Sequence, residues 1–134
     1  MLQFYFLSIV MNLLAGYLLF FGDEKGPLEF KNTFPLNAET FRLSVGIISM
    51  ITGLLKLLSP VEGDLLIIGD IVPAASGLLC GFALVFEYYR NRSTINEQQP
   101  EKLENFLSRN RKILGAAALI AAILHFFAPR VLLL

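Results

Sequence analysis

Tryptophan is absent from these 134 residues, cysteine and histidine occur once each, and neither sign of charge is in excess. Each absence removes a class of chemistry. A lone cysteine, Cys80, excludes an intramolecular disulfide and a Cys-x-x-Cys redox pair. With His125 as the only histidine, the set of about four ligands that a zinc site needs is not at hand. Eleven basic residues balanced by eleven acidic ones leave no basic stripe for a phosphate backbone, so nucleic acid is not an expected partner. No paired nucleophile and base stand out, so no catalytic residues are assigned and no cofactor is expected. Charged residues make up only 16% of the chain, hydrophobic ones 55%, and the mean hydropathy is +0.63. So little polar surface could not cover a water-facing exterior at this size.

What fills the chain instead is long apolar runs. A hydrocarbon core of ~30 Å takes about 20 mostly apolar helical residues to cross. Four stretches qualify, at about residues 2–21, 41–60, 65–89 and 112–133. As helices they satisfy their backbone hydrogen bonds internally, which lipid demands. The expected fold is therefore all-α, a single polytopic domain over residues 1–134 with four transmembrane helices in a bundle. A cleavable signal peptide is the competing reading of the first run. That run has no basic n-region and no persuasive small-x-small cleavage site, so it reads as a true span.

Lysine and arginine near the span ends set the expected orientation. Lys25, Lys31, Arg42, Arg90, Arg92, Lys102, Arg109, Arg111 and Lys112 border the two longer connections, whereas Lys56 and Arg130 fall on the other side. The excess places both longer connections in the cytoplasm and both termini outside, in a multi-pass protein of a bacterial inner membrane. Aromatic residues at the ends, among them Tyr5, Tyr88, Tyr89 and Phe127, suit interfacial belts. The first connection, with Pro27 and Pro35, reads as an irregular loop. The second begins a helix at about residues 100–111. Leu103, Phe106 and Leu107 recur at helical spacing there, Glu101 and Glu104 come early, and Arg109, Arg111 and Lys112 come late. This amphipathic cytoplasmic segment either lies on the membrane or protrudes from it, and it runs into the last span.

The second and fourth runs repeat one another at an offset of 69 residues. Arg42 falls on Arg111, Gly46 on Gly115, Leu55 on Leu124, Lys56 on His125 and Pro60 on Pro129. The first and third align loosely, with Leu14, Ala15, Gly16 and Tyr17 against Leu79, Cys80, Gly81 and Phe82. Two duplicated helix hairpins follow as an expectation. Two spans return the chain to its starting side, so such a repeat is parallel, with a pseudo-two-fold axis along the membrane normal. Within the second run, Arg42, Gly46, Gly53, Lys56 and Pro60 form R-x-x-x-G…G-x-x-K-x-x-x-P. This pattern resembles a helix of DoxX-like four-helix membrane proteins. The resemblance implies an accessory membrane subunit associated with quinone or redox chemistry.

Three ionisable residues of the runs converge on one level. Asp70 lies about five residues into the third, and Lys56 is four residues from Pro60. The repeat brings His125 to the same level, so Lys56, Asp70 and His125 are expected in one polar layer near the outer face. A charge at the bilayer centre costs ~2.5–3.5 kcal/mol and less near an edge, so pairing Asp70 with Lys56 offsets much of that cost. Pro73 removes the helical donor from the Gly69 carbonyl and leaves an acceptor beside Asp70. The layer serves either as an interhelical tie or as a site for a proton, an ion or a polar head group. Gly77-x-x-x-Gly81, and Gly115 with Ala118 and Ala122, offer small surfaces for close helix packing, within one chain or between copies. Asn12 is placed to hydrogen-bond across such a contact. Glu87 stands near Arg90, within reach of Arg42 or Arg111.

Small soluble parts, close-packing motifs and the lack of a catalytic set point to a non-catalytic structural or accessory subunit of a membrane complex. Its expected partners are the lipid bilayer and either further copies of itself or other membrane subunits. Two other readings stay open: a small oligomeric transporter or channel using the Lys56/Asp70/His125 layer, and the quinone-linked accessory subunit that the DoxX-like resemblance implies.

Overall fold

The structure, a computed structural model, describes residues 2–22, 39–58, 71–92 and 101–127, without the side chains of Leu2 and Glu101. They form four α-helices: α1 (Leu2–Phe21), α2 (Glu39–Leu58), α3 (Ile71–Arg92) and α4 (Glu101–Phe127). All four are long and apolar enough to cross a membrane. Helix α1 carries no charged residue. Helix α2 starts with Glu39 in its first turn and ends with Lys56 in its last, both favourable to the helix dipole. Proline is tolerated in the first turn of a helix, and Pro73 occupies the first turn of α3.

Helices α1 and α3 each contact all three others, whereas α2 and α4 make no backbone approach to one another among the described residues. The most extensive faces are α2 against α3 and α1 against α4. Met11, Ala15, Leu18 and Leu19 of α1 meet Val45, Cys80, Ala83, Leu84 and Ala118 in the core. Three of these nine residues are alanine, which brings backbones close where large side chains would hold them apart. The outward faces are apolar as well: Ile47, Ile51 and Leu54 of α2, Leu79 and Phe82 of α3, and Ile113 and Ile120 of α4 are all exposed. Helices that are apolar on every side suit an apolar solvent.

Three boundaries differ from those expected. Helix α2 spans 39–58 rather than 41–60, and Pro60 lies outside the described residues. Helix α3 begins at Ile71 and runs to Arg92, three residues past Tyr89, because nothing in Arg90-Asn91-Arg92 breaks a helix. Residues 65–70, including Asp70 and Gly69, lie outside the described residues. The amphipathic segment and the last span form one uninterrupted helix of 27 residues, about 40 Å long at 1.5 Å per residue. The start of α4 therefore continues the axis of the last span and runs beside the end of α3, where Glu104 meets Arg90. The first long connection and the 61–64 turn lie outside the described residues.

Candidate functional site

Polar side chains concentrate at the two ends of the helices. At the end where α1 starts and α4 stops, the Lys56 ammonium nitrogen lies 3.4 Å from Nε2 of His125. Both residues are buried, at 8% and 1% exposure, although each sits in the last turns of its helix. The roles in this contact follow the tautomer: an imidazole protonated on Nδ1 accepts at Nε2 from a Lys56 ammonium. The Tyr5 hydroxyl of α1 donates to the His125 carbonyl oxygen at 2.6 Å. The Tyr5 ring lies 4.7 Å from the imidazole, centroid to centroid, and 5.6 Å beneath the Lys56 ammonium. α1, α2 and α4 thus converge through three side chains. Lys56 and His125, expected at one level, are in direct contact, while Asp70, the expected partner of Lys56, lies outside the described residues. Tyr5 had read as part of an aromatic belt. A signal was present, because extending the Gly16–Gly81 offset pairs Tyr5 with Asp70, polar against polar.

Deeper in the same half, Ser8, Asn12, Ser49 and Thr52 are buried. Asn12 Nδ2 donates to the Pro73 carbonyl at 2.9 Å, and the Ser76 hydroxyl donates to Asn12 Oδ1 at 2.9 Å. The Ser49 hydroxyl donates to the Gly77 carbonyl at 3.0 Å, tying α2 to α3. Thr52 closes onto its own helix through the Ile48 carbonyl. Away from water these partners are what make buried polar groups tolerable.

At the opposite end Glu87 of α3 receives two arginines. Arg42 of α2 reaches its Oε2 at 2.7 Å, and Arg111 of α4 lies 3.5 Å from its Oε1. Arg111 also donates to the Leu18 carbonyl of α1 at 3.4 Å. Arg90 pairs with Glu104 instead, at 3.2 Å. Arg42 and Arg111 are the repeat equivalents, so one carboxylate gathers a matched pair of guanidiniums. Any side chain at Gly22, the position 65 residues before Glu87, would run into the tips of both.

The glycines sort differently from the motif that singled them out. A Cβ on Gly81 would lie 2.6 Å from the Gly46 carbonyl oxygen, and one on Gly115 would lie 2.8 Å from that of Gly16. A Cβ on Gly77 would meet Asn12 and Ser49 at no less than 3.4 Å, an ordinary contact. Exchanging α1 with α3 and α2 with α4 carries the Gly16–Gly115 contact onto Gly81–Gly46. It likewise exchanges Lys56 with His125 and Arg42 with Arg111. Among the described residues no three His, Cys, Asp or Glu side chains gather closely enough to hold a metal ion.

A protein-family model matches residues 1–125, and the chain belongs to that family, which is uncharacterized. An uncharacterized protein of Treponema pallidum (strain Nichols) is 32% identical over 135 residues, covering 99% of this chain and all of the relative. No solved structure matches.

Proposed function

We propose that this member of an uncharacterized family is a multi-pass inner-membrane protein. In this reading it is a four-helix transmembrane bundle of two parallel-repeated hairpins, serving as a non-catalytic structural or accessory subunit of a membrane complex. The observation that supports this best is how firmly the helices are tied. Glycine pairs bring α2 against α3 and α1 against α4 at backbone contact, and a side-chain cluster closes each end. Such packing suits a rigid scaffold better than a moving carrier, whose repeats rock against one another. Both long connections face the cytoplasm in this reading, following the arginines and lysines at the Glu87 end.

The test is extraction of the tagged chain from its native membrane in a mild detergent, followed by native mass spectrometry. The expected result is a stoichiometric assembly, either of several copies or with a defined second membrane subunit. A monomer that by itself turns over a substrate in proteoliposomes overturns the reading. Quinone or haem retained in the assembly would move the assignment to the redox accessory subunit.

The buried Lys56–His125 pair favours a second reading, a small oligomeric transporter or channel that uses this layer. Ionisable groups in a membrane span are costly and commonly mark ion or proton paths. Asp70→Asn then abolishes flux in proteoliposomes while leaving the fold intact. Unchanged flux in that variant removes the reading.

A further inference from the structure

At the Glu87 end a cleft opens between α3 and α4, with about 380 Å³ of open space, part of it continuous with the surroundings. Its two halves differ in chemistry. The floor and walls are Leu19, Ala83, Phe86 and Leu107, all apolar. The rim carries Glu87, Arg90, Glu104 and Arg111, two anions and two cations. Phe86 in its wall stacks on Phe82, which is exposed on the apolar outer face of α3, so the apolar part of the cleft leads onto that face.

From this arrangement we infer that the cleft binds one zwitterionic phospholipid of the primary-amine type, its phosphate on Arg90 and Arg111 and its ammonium on Glu87 and Glu104. The inference rests on the reading of the helices as membrane spans. Net charge decides between head groups. A purely basic pocket would select an anionic lipid, whereas the four charged lining residues sum to zero, with Arg42 behind Glu87 outside the lining, and they offer acceptors as well as donors. Guanidiniums bind phosphate oxygens through paired, directed hydrogen bonds. The carboxylates then reward an ammonium that can donate, which a quaternary amine cannot. The rim is also openable. The Arg90–Glu104 pair is 38% and 35% exposed and worth at most a fraction of the affinity it would yield on admitting a ligand. Glu87, held by Arg42 from the far side, stays in place when Arg111 turns toward a phosphate.

The experiment uses the full chain, delipidated in detergent and titrated with phosphatidylethanolamine, phosphatidylcholine and phosphatidylglycerol under native mass spectrometry. Circular dichroism checks the fold of every variant. The expected result is one phosphatidylethanolamine per chain, bound about tenfold tighter than either of the other lipids. Glu104→Gln should erase that preference while leaving general phospholipid binding. Arg90→Gln should weaken all three lipids several-fold. Both positions are half-exposed on helix surfaces, so neither variant threatens folding. Equal retention of the three lipids, untouched by either substitution, would mean annular lipid only and overturns the proposal. Preference for phosphatidylglycerol overturns the head-group assignment. Competition by soluble glycerophosphoethanolamine at the lipid's own affinity overturns the role of the apolar walls. A failure of the chain to extract with membranes would instead strike the membrane reading itself, and carbonate washing separates that outcome from the others.

Discussion

Gly81 and Gly46 meet backbone to backbone: a Cβ on Gly81 would sit 2.6 Å from the Gly46 carbonyl oxygen and 2.7 Å from Cγ of Met50. Backbone cannot swing aside as a side-chain tip can, so Gly81→Ala must push α2 and α3 apart. Overpacking of this kind costs about 1–3 kcal/mol. Gly77→Ala, one turn away, adds a methyl at ordinary contact distance and removes a flexible residue from a helix, so its effect should stay within about 1 kcal/mol. Denaturant unfolding in detergent compares the two. Equal losses would show that the GxxxG spacing, rather than the Gly46 contact, governs the packing.

Lys56 and His125 are coupled if their contact is energetically real. Lys56→Met, His125→Phe and the double variant form a thermodynamic cycle, and residues in direct contact typically give a coupling of about 0.5–3 kcal/mol. We expect a value in that range. Additive losses within error would mean that the two groups are only neighbours.

Glu87 anchors two guanidiniums, so Glu87→Gln leaves Arg42 and Arg111 facing each other across a neutral amide. Breaking a fully buried pair costs about 3–5 kcal/mol. Glu87 is 21% exposed, and the expected loss is correspondingly smaller, about 2 kcal/mol after that discount for solvent screening. Glu104→Gln serves as the comparison, because its pair with Arg90 is more exposed and should contribute about 0–1 kcal/mol. A larger loss at Glu104 than at Glu87 would contradict the ranking by burial.

Orientation is open to direct labelling. In a Cys80→Ser background, Asn105→Cys near the start of α4 and Gln3→Cys at the start of α1 are both exposed positions. An impermeant maleimide applied to intact spheroplasts should label Gln3→Cys and spare Asn105→Cys until the membrane is opened. The reverse pattern would invert the assigned topology.

How much of this was legible beforehand depends on the range of each interaction. The helices were, because apolar length is a local property: α1 occupies the stretch read from composition, α2 is displaced by two residues, and residues 65–70 and 128–133 of the other expected spans lie outside the described residues. The repeat put Lys56 and His125 at one level, but the pairing read from the sequence was Lys56 with Asp70, and the direct Lys56–His125 contact came from the structure. Tyr5 was missed because an aromatic at a span end looks the same whether it faces lipid or turns inward to a carbonyl. Asn12 was placed at the right depth, but its acceptor, the Pro73 carbonyl, could not be named from spacing.

The sequence by itself determined the helical class, the four apolar elements and the internal repeat, all of which follow from hydropathy and residue order along one chain. Only the tertiary structure decided that Gly81 is the close contact and Gly77 is not. It alone gave Glu87 to Arg42 and Arg111 together, and it alone opened an amphipathic cleft beside α4. Those outcomes depend on the rotation of each helix about its own axis. On helices that are apolar all round, the pattern of residues fixes that rotation weakly, and interlocking small side chains and a few polar partners settle it.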